Sequence, residues 1–312
     1  MENSIKVVSI VGPTASGKTK LSVELAKHFN GEIVSADSMQ IYSGMQIATA
    51  KPTKAEMDGV PHHMMGFLPP DKTYSVASYV NDASKCIADI HSRGMLPFIV
   101  GGTGLYVDSL LNNISFSDDK RDEEYCSKLR KIGEEDGTDR LLDMLSEFDP
   151  ESAQRLRGGR NIKRIIRAIE FYKTTGKTIT EQIKESHNIP SPYSAVKLGL
   201  NCRDRQVLYD RINRRVDIML DEGLLEEAQR VINSELSYTS VKAIGYKELI
   251  PYFKGSKSLN DCVEKLKMET RRYAKRQITW FKRDTEINWI YIDEYNSFEE
   301  IYSQAKAIIE RG

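Results

Sequence analysis

The stretch Val7 to Ala26, "VVSIVGPTASGKTKLSVELA", decides how the rest of the chain is read. Its first part completes a run of Val and Ile, Ile5 to Val11, bounded by Gly12-Pro13, which is the pattern of a buried strand. Its last part opens a helix, Lys18 to Phe29, in which Leu21, Leu25 and Phe29 stand four apart, before Asn30-Gly31 stops it. Between them Gly12-Pro13-Thr14-Ala15-Ser16-Gly17-Lys18-Thr19 fits G-x-x-x-x-G-K-[ST]. Strand, loop and helix in that order predict a phosphate cradle. Successive backbone N–H groups and the helix N-terminus attract oxyanions, Lys18 adds a charge, and the Thr19 hydroxyl suits Mg²⁺. The motif says that a polyphosphate is held, not which one or what leaves with it.

Working outward, Glu32 to Ser35 is a second short strand with "ADSMQIY" running off its end. Tyr79 to His91 reads as a helix, and "LPFIVGGTGLY" as a strand breaking into a Gly-rich turn. Strand and helix in alternation predict an α/β fold, a P-loop NTPase-like parallel sheet flanked by helices. Ligands of such sheets sit beyond the carboxyl ends of the strands, so the cradle, Asp37 and Gly101-Gly102-Thr103-Gly104 are expected to meet in one crevice.

From Ser117 the character changes. Asp122 to Gly137 is strongly charged, Thr138 to Phe148 is a short helix, and Asp149-Pro150 supplies an N-cap and a first-turn proline. Asn161 to Thr174 is a helix closed by Gly176, Thr178 to Glu185 is a further short one, and Asn188 to Tyr193 is a Pro/Ser linker. "AVKLGLNC" then reads as a strand returning to the sheet. Residues 117–194 are therefore expected to be an all-helical insertion in a core made of 1–116 and 195–312. After Cys202 the chain is largely helical up to a terminal strand, "WIYID", and a last helix.

Lys plus Arg and Asp plus Glu number 45 each among 312 residues, so any nucleic-acid signal must be local. Cys86, Cys126, Cys202 and Cys262 form no C-x-x-C pair, which argues against zinc or a disulfide framework and suits a reducing, cytoplasmic setting. No stretch approaches the roughly 20 apolar residues of a membrane helix, and no coiled-coil or repeat signal argues against a monomer.

A nucleotide hydrolase usually places a second Asp at the end of an apolar strand to help hold Mg²⁺. The candidate strand, Leu96 to Val100, ends in Gly101-Gly102-Thr103 instead. Asp37 is the nearest acid, and it suits a metal-supporting role, a general base or a turn cap. Basic residues cluster twice. Arg155, Arg157, Arg160, Lys163, Arg164 and Arg167 have no acid among them, and the last four share one helix face opposite Ile162, Ile165, Ile166 and Ile169. Arg271-Arg272, Lys275-Arg276 and Lys282-Arg283 surround Tyr273, Trp280 and Phe281, a mixture that suits phosphate neutralisation and base stacking as well as a solvated face. His62-His63 has no ligand spacing and reads as packing.

Taken together, "GPTASGKT", "IVSADSMQIY", "TAKPT", "HH", "GGTGLY", "RAIE", "RINRRVDIML", "GLLEE", "AIGYKE" and "TRRYAKRQITWFKR" resemble the tRNA dimethylallyltransferases over nearly the whole chain. The resemblance implies transfer of a dimethylallyl group from its diphosphate to N6 of the adenosine 3′ to the anticodon. It implies that Gly12, Pro13, Thr14, Ala15, Ser16, Gly17, Lys18 and Thr19 hold the diphosphate, with Mg²⁺ on Thr19. Asp37 would take the amine proton, in an ionised state that Mg²⁺ and Lys18 favour. Thr103 would stand beside the target base, and Arg211 and Arg215 would neutralise the departing diphosphate, Arg211 the stronger candidate. Asp37, Ser38, Met39 and Gln40 would touch the RNA. So would Lys163, Arg164, Ile165, Ile166 and Arg167, and Lys242, Ala243, Ile244, Gly245, Tyr246 and Lys247. The insertion would thereby engage the anticodon stem-loop of the tRNA. One departure stands out: where many members read D-x-x-x-R, this chain has Asp122 to Cys126, so Lys128 or Arg130 would have to substitute. Rival readings are a mononucleotide prenyltransferase, a P-loop kinase and a non-catalytic RNA-binding protein with a decayed cradle.

Overall fold

The computed structural model describes residues 4–114, 122–159, 161–187, 190–234, 240 and 243–312. The chain divides into two compact units, one of residues 1–111 and 192–312, the other of residues 112–191. In the first, β1 (Ile5–Val11), α1 (Lys18–His28), β2 (Gly31–Ser35), α2 (Lys54–Met57), β3 (His62–His63), α3 (Val76–Ser92), β4 (Leu96–Gly101) and α4 (Gly104–Leu111) precede the second unit. That unit contains α5 (Glu123–Glu135), α6 (Thr138–Ser146), α7 (Pro150–Arg157), α8 (Ile162–Thr175) and α9 (Ile179–His187). The chain then returns through β5 (Tyr193–Asn201), α10 (Arg205–Asp221), α11 (Leu224–Ile232), α12 (Ile250–Phe253), α13 (Leu259–Phe281), β6 (Asn288–Tyr291) and α14 (Phe298–Arg311).

The six strands lie in the order β3-β2-β4-β1-β5-β6, and every adjacent pair is parallel. Strand alternation explains the layers. Val7 and Val11 of β1 face one core with Val34, Ile99 and the apolar sides of α3 and α4. Val8 and Ile10 face the other with Phe98, Leu198 and the apolar sides of α1 and α14. Burial on both faces is why β1 is a continuous run of apolar residues. A third cluster packs Ile41, Tyr42 and Met45 against α10, α11 and α13. Among the described residues, no helix is long and apolar enough to cross a membrane.

Two elements were hidden in the sequence. The charged segment after Asp122 is the helix α5, whose apolar stripe, Cys126 and Leu129, is fully buried among its neighbours. Cys126 thus occupies a core position, while Lys128 pairs with Glu124 at 2.8 Å and Arg130 with Glu123 at 3.3 Å. His62-His63 is the edge strand β3, and the packing reading of the pair gains a partner the sequence did not show: His63 Nε2 meets Glu32 at 2.7 Å.

Arg93 also donates to that Glu32, with Nη1 at 2.6 Å and Nη2 at 2.8 Å. The guanidinium bonds, aided by His63, pull the Glu32 carboxyl from 4.5 down to about 2. A depressed folded-state pKa stabilises above the unfolded value, so this contribution is full above pH 4.5 and is lost as pH falls toward 2. The shift corresponds to about 3 kcal/mol at neutral pH. Glu32→Gln is expected to remove most of that margin at pH 7 and almost none at pH 2, as measured by denaturant unfolding at the two pH values.

Candidate active site

The cradle forms where β1 hands over to α1. Gly12 adopts φ +145°, and a Cβ there would lie 2.3 Å from the Leu200 carbonyl of β5, so only glycine fits so close to the neighbouring strand. Ala15 and Gly17 take φ +63° and +91°, which turns the loop back toward the helix. The Lys18 ammonium donates to its own loop, to the carbonyls of Gly12 at 3.0 Å and Pro13 at 2.7 Å. Burial, and then the charge of Arg215, bring its pKa from 10.5 down to about 7. Ser16 Oγ is buried and meets no hydrogen-bond partner among the described residues.

The end of β2 delivers Asp37 to the same place. Its Oδ1 accepts from the Met39 amide at 2.9 Å. Burial dominates and raises its pKa; the Met39 amide, Lys18 (which favours the carboxylate as the sequence led us to expect) and Arg215 oppose that rise. Thr103 lies behind this segment. Its N–H donates to the Ala36 carbonyl at 3.0 Å, and its Oγ1 accepts from the Ser38 amide at 2.9 Å. Thr103 therefore fixes the strand end, and its neighbours Gly101 and Gly102 line the cavity. The Gln40 amide is likewise committed, donating to the carbonyls of Thr49 at 3.3 Å and Ala50 at 3.1 Å.

A cavity of about 650 Å³ joins these parts. The cradle from Thr14 to Lys20, the segment Asp37 to Gln40, Arg211, Arg214 and Arg215 of α10, and Tyr273, Arg276 and Gln277 of α13 all line it. The two arginines one turn apart differ in commitment. Arg211 is exposed, and its Nε donates to the Ala15 carbonyl at 2.8 Å. Arg215 is half-buried, meets no hydrogen-bond acceptor among the described residues, and burial lowers its pKa. A guanidinium held this way awaits an anion. Among the described residues no group of three or more His, Cys, Asp or Glu is arranged to hold a metal ion. Thr19 and Asp37 both line the cavity and carry oxygens that suit a divalent ion.

The remaining sequence candidates scatter. In α8, Lys163 and Arg164 are exposed, but Ile165 and Ile166 are 0% and 2% exposed in the core of the helical unit. Their side chains cannot form an outer surface. Arg167 is paired with the fully buried Glu170, so it compensates a core carboxylate. Arg160 and Lys242 lie outside the described residues. Ala243, Gly245 and Tyr246 are buried, Ile244 is half-buried, and Lys247 is exposed; Ala243, Ile244, Gly245 and Lys247 reach the cavity wall. In α13, Phe281 is a core residue and Trp280 packs beside that core with Nε1 donating to Asp108 at 2.6 Å, so neither is a free stacking platform. Tyr273 is the aromatic of that trio on the cavity.

Gln277 was not singled out from the sequence, because a glutamine in so basic a helix reads as surface. It is 5% exposed: its Oε1 accepts from the Thr14 amide at 2.9 Å, and its Nε2 donates to the Gly102 carbonyl at 2.9 Å. One side chain thus ties the cradle to the turn after β4.

The IPP transferase family matches residues 40–284, and the isopentenyl transferase family matches residues 5–65. A tRNA dimethylallyltransferase of Caldanaerobacter subterraneus is 48% identical over 96% of this chain and 95% of its own length. One from Bacillus cereus is 46% identical over 98% and 96%. The crystal structure of a tRNA isopentenylpyrophosphate transferase from Bacillus halodurans is similar with a TM-score of 0.71 at 44% identity, covering 98% of this chain and 97% of that one. A eukaryotic dimethylallyltransferase, captured acting on tRNA, gives a TM-score of 0.80 at 29% identity, covering 99% and 80%. With the cradle, the strand-end carboxylate and the arginine pair brought to one cavity, and with similarity of this extent, the chain belongs to the IPP transferase family, that of the tRNA dimethylallyltransferases.

Proposed function

We propose that this protein transfers a dimethylallyl group from dimethylallyl diphosphate to N6 of the adenosine 3′ to the anticodon, in tRNAs that read codons beginning with U, releasing diphosphate. The observation that carries the reading is the meeting of a phosphate cradle, an unpartnered Arg215 and Asp37 in one cavity.

The cradle amides, Lys18 and the orphaned Ser16 hydroxyl receive the diphosphate. Binding gives the Lys18 ammonium phosphate oxygens as acceptors and restores a charge that burial has weakened. Thr19 would hold Mg²⁺, which would supply positive charge to the leaving group when bound. As the allylic C–O bond breaks, its electron pair stays on the diphosphate, whose growing charge meets Arg215 and Arg211. N6 bonds to the allylic carbon, and its proton passes to Asp37. An aromatic amine is a weak nucleophile, so a carboxylate within reach of that proton contributes directly. Thr103 and the Met39 amide hold this carboxylate and its strand end. The exposed Lys163 and Arg164 of the helical unit supply phosphate contacts to the anticodon stem-loop.

The direct test incubates the protein with Mg²⁺, labelled dimethylallyl diphosphate and unmodified tRNA reading codons that begin with U. Label is expected in the RNA; none from folded protein overturns the reading, and phosphate release from ATP would replace it with a kinase. Asp37→Ala is expected to lower the transfer rate by about 10²–10⁴-fold while tRNA affinity stays within a few-fold.

The titration of Lys18 makes a second prediction. With a free-protein pKa of about 7 and a higher one when bound to diphosphate, binding above pH 7 takes up a proton. Affinity therefore declines as pH rises past 7, and calorimetry in two buffers of different ionisation enthalpy should show proton uptake that Lys18→Met lacks.

A third prediction separates the two cations of α8. Arg164→Glu should weaken tRNA binding and reduce its log–log salt slope by about 1–2 without a change in melting temperature. Arg167→Glu should also lower the melting temperature, because it strips the buried Glu170 of its cation. An unchanged salt slope for Arg164→Glu would place the RNA elsewhere.

A further inference from the structure

The irregular segment from Gln46 to Pro52 follows Asp37–Gln40 and gives Ala48, Thr49, Ala50 and Pro52 to the cavity wall. Three successive backbone amides in it converge on a single acceptor, the carboxylate of Glu227 on α11. Oε2 accepts from Gln46 at 2.8 Å and Ile47 at 2.9 Å; Oε1 accepts from Ile47 at 3.0 Å and Ala48 at 2.9 Å. The Tyr246 hydroxyl donates to Oε1 at 3.0 Å. Successive N–H groups arranged like this form a nest that ordinarily captures an external anion. Here the anion is internal, 3% exposed, and fully supplied with donors.

Its charge is balanced inside the same segment. Lys51 is 9% exposed and donates to the Tyr42 carbonyl at 2.6 Å, close enough to Glu227 for the two charges to attract. On the far side, Gly245 at φ +112° lets Ala48 approach so near that a Cβ on the glycine would stand 2.6 Å from the Ala48 Cβ. The carbonyls of Thr49 and Ala50, which follow the nest, hold the Gln40 amide. Glu227 does not itself line the cavity, yet a continuous set of bonds runs from its carboxylate through residues 46–50 to Gln40, three residues beyond Asp37. The cradle is held by other bonds, of Gln277 on Thr14 and of Lys18 on Gly12 and Pro13.

We propose that Glu227 is a positioning residue of the transfer reaction: it fixes the 46–50 wall, and through Gln40 the segment bearing Asp37, where the acceptor base is received. This rests on the transferase reading above. Because the cradle has its own supports, the inference separates the two substrates: losing the Glu227 anchor disturbs the acceptor side and leaves diphosphate binding intact.

The test compares wild type with Glu227→Gln and Tyr246→Phe. Glutamine is isosteric, but either orientation sets its NH₂ against at least two backbone N–H groups, whereas Tyr246→Phe removes one donor and leaves the nest filled. In Glu227→Gln, amide exchange at residues 46–48 should quicken at least about tenfold, and kcat for transfer should fall on the order of 30-fold. The dissociation constant for inorganic diphosphate with Mg²⁺ should stay within about threefold, since none of its binding groups is touched. Tyr246→Phe, which leaves each of the three backbone amides its acceptor, should lower kcat less than Glu227→Gln does. Unchanged kcat in Glu227→Gln overturns the proposal. So does diphosphate affinity that falls in step with kcat, because that marks a general structural defect. If wild type itself moves no prenyl group to RNA, the activity reading fails; unaltered exchange in Glu227→Gln would then overturn the anchor separately.

Discussion

Desolvation of three charges at the carboxyl edge of the sheet sets the character of this protein. Lys18, Asp37 and Arg215 line one cavity, and for each of them burial is the largest influence on its proton equilibrium. Lysine and arginine are pushed down, the aspartate up, and none is neutralised by a direct ion pair with another among the described residues. Burying charges without ion-pair partners costs free energy. A polyanion relieves the two cations together. The site is complementary to something it must bind, and the fold supplies the stability that the site gives away.

Such a site needs rigid supports, and they come from outside the cavity or its rim as side chains bonded to backbone. Thr103 holds the Ser38 amide, Gln277 the Thr14 amide and the Gly102 carbonyl, and Glu227 the amides of residues 46–48. Each replaces a backbone partner that an irregular segment lacks, and so satisfies polar groups that would otherwise be buried unpaired. None of the three is charged toward the cavity, so they order the walls without competing for the ligand.

The architecture was legible in the sequence because its signals are local. Ile5–Val11, the cradle and α1 are read from neighbours within a few residues, and Gly12 is required by the close passage of β5. The helical unit was legible from its caps, Asp149-Pro150 and Asn161, which the structure uses as such. What escaped depends on long-range burial. Arg167 looked like one more cation on a basic face until Glu170 came up against it, and Phe281 looked like an aromatic beside arginines until it joined the core. Glu227 and Gln277 escaped for the same reason: their backbone partners lie 179–181 and 175–263 residues away. The stretch "GLLEE" gives no hint of which glutamate turns inward.

The separation of supports bears on where rate enhancement arises in the proposed reaction. The cradle grips a diphosphate that is present in donor and product alike, so the restored charge on Lys18 favours both and strengthens binding more than it speeds chemistry. Acceleration must come from groups whose interactions strengthen as the bond breaks. In the proposed reaction Arg215 would meet charge that grows on the bridging oxygen, and Asp37 a proton that becomes acidic only as N6 bonds to carbon. The raised pKa of Asp37 suits that task, since a carboxylate destabilised by burial is a stronger base than one in water. A more exposed aspartate would be ionised more readily and would pull less on the proton. In the proposed reaction burial at this strand end would serve basicity, while Lys18, Arg215 and the Met39 amide, which oppose the rise, would offset the cost of keeping a charge there.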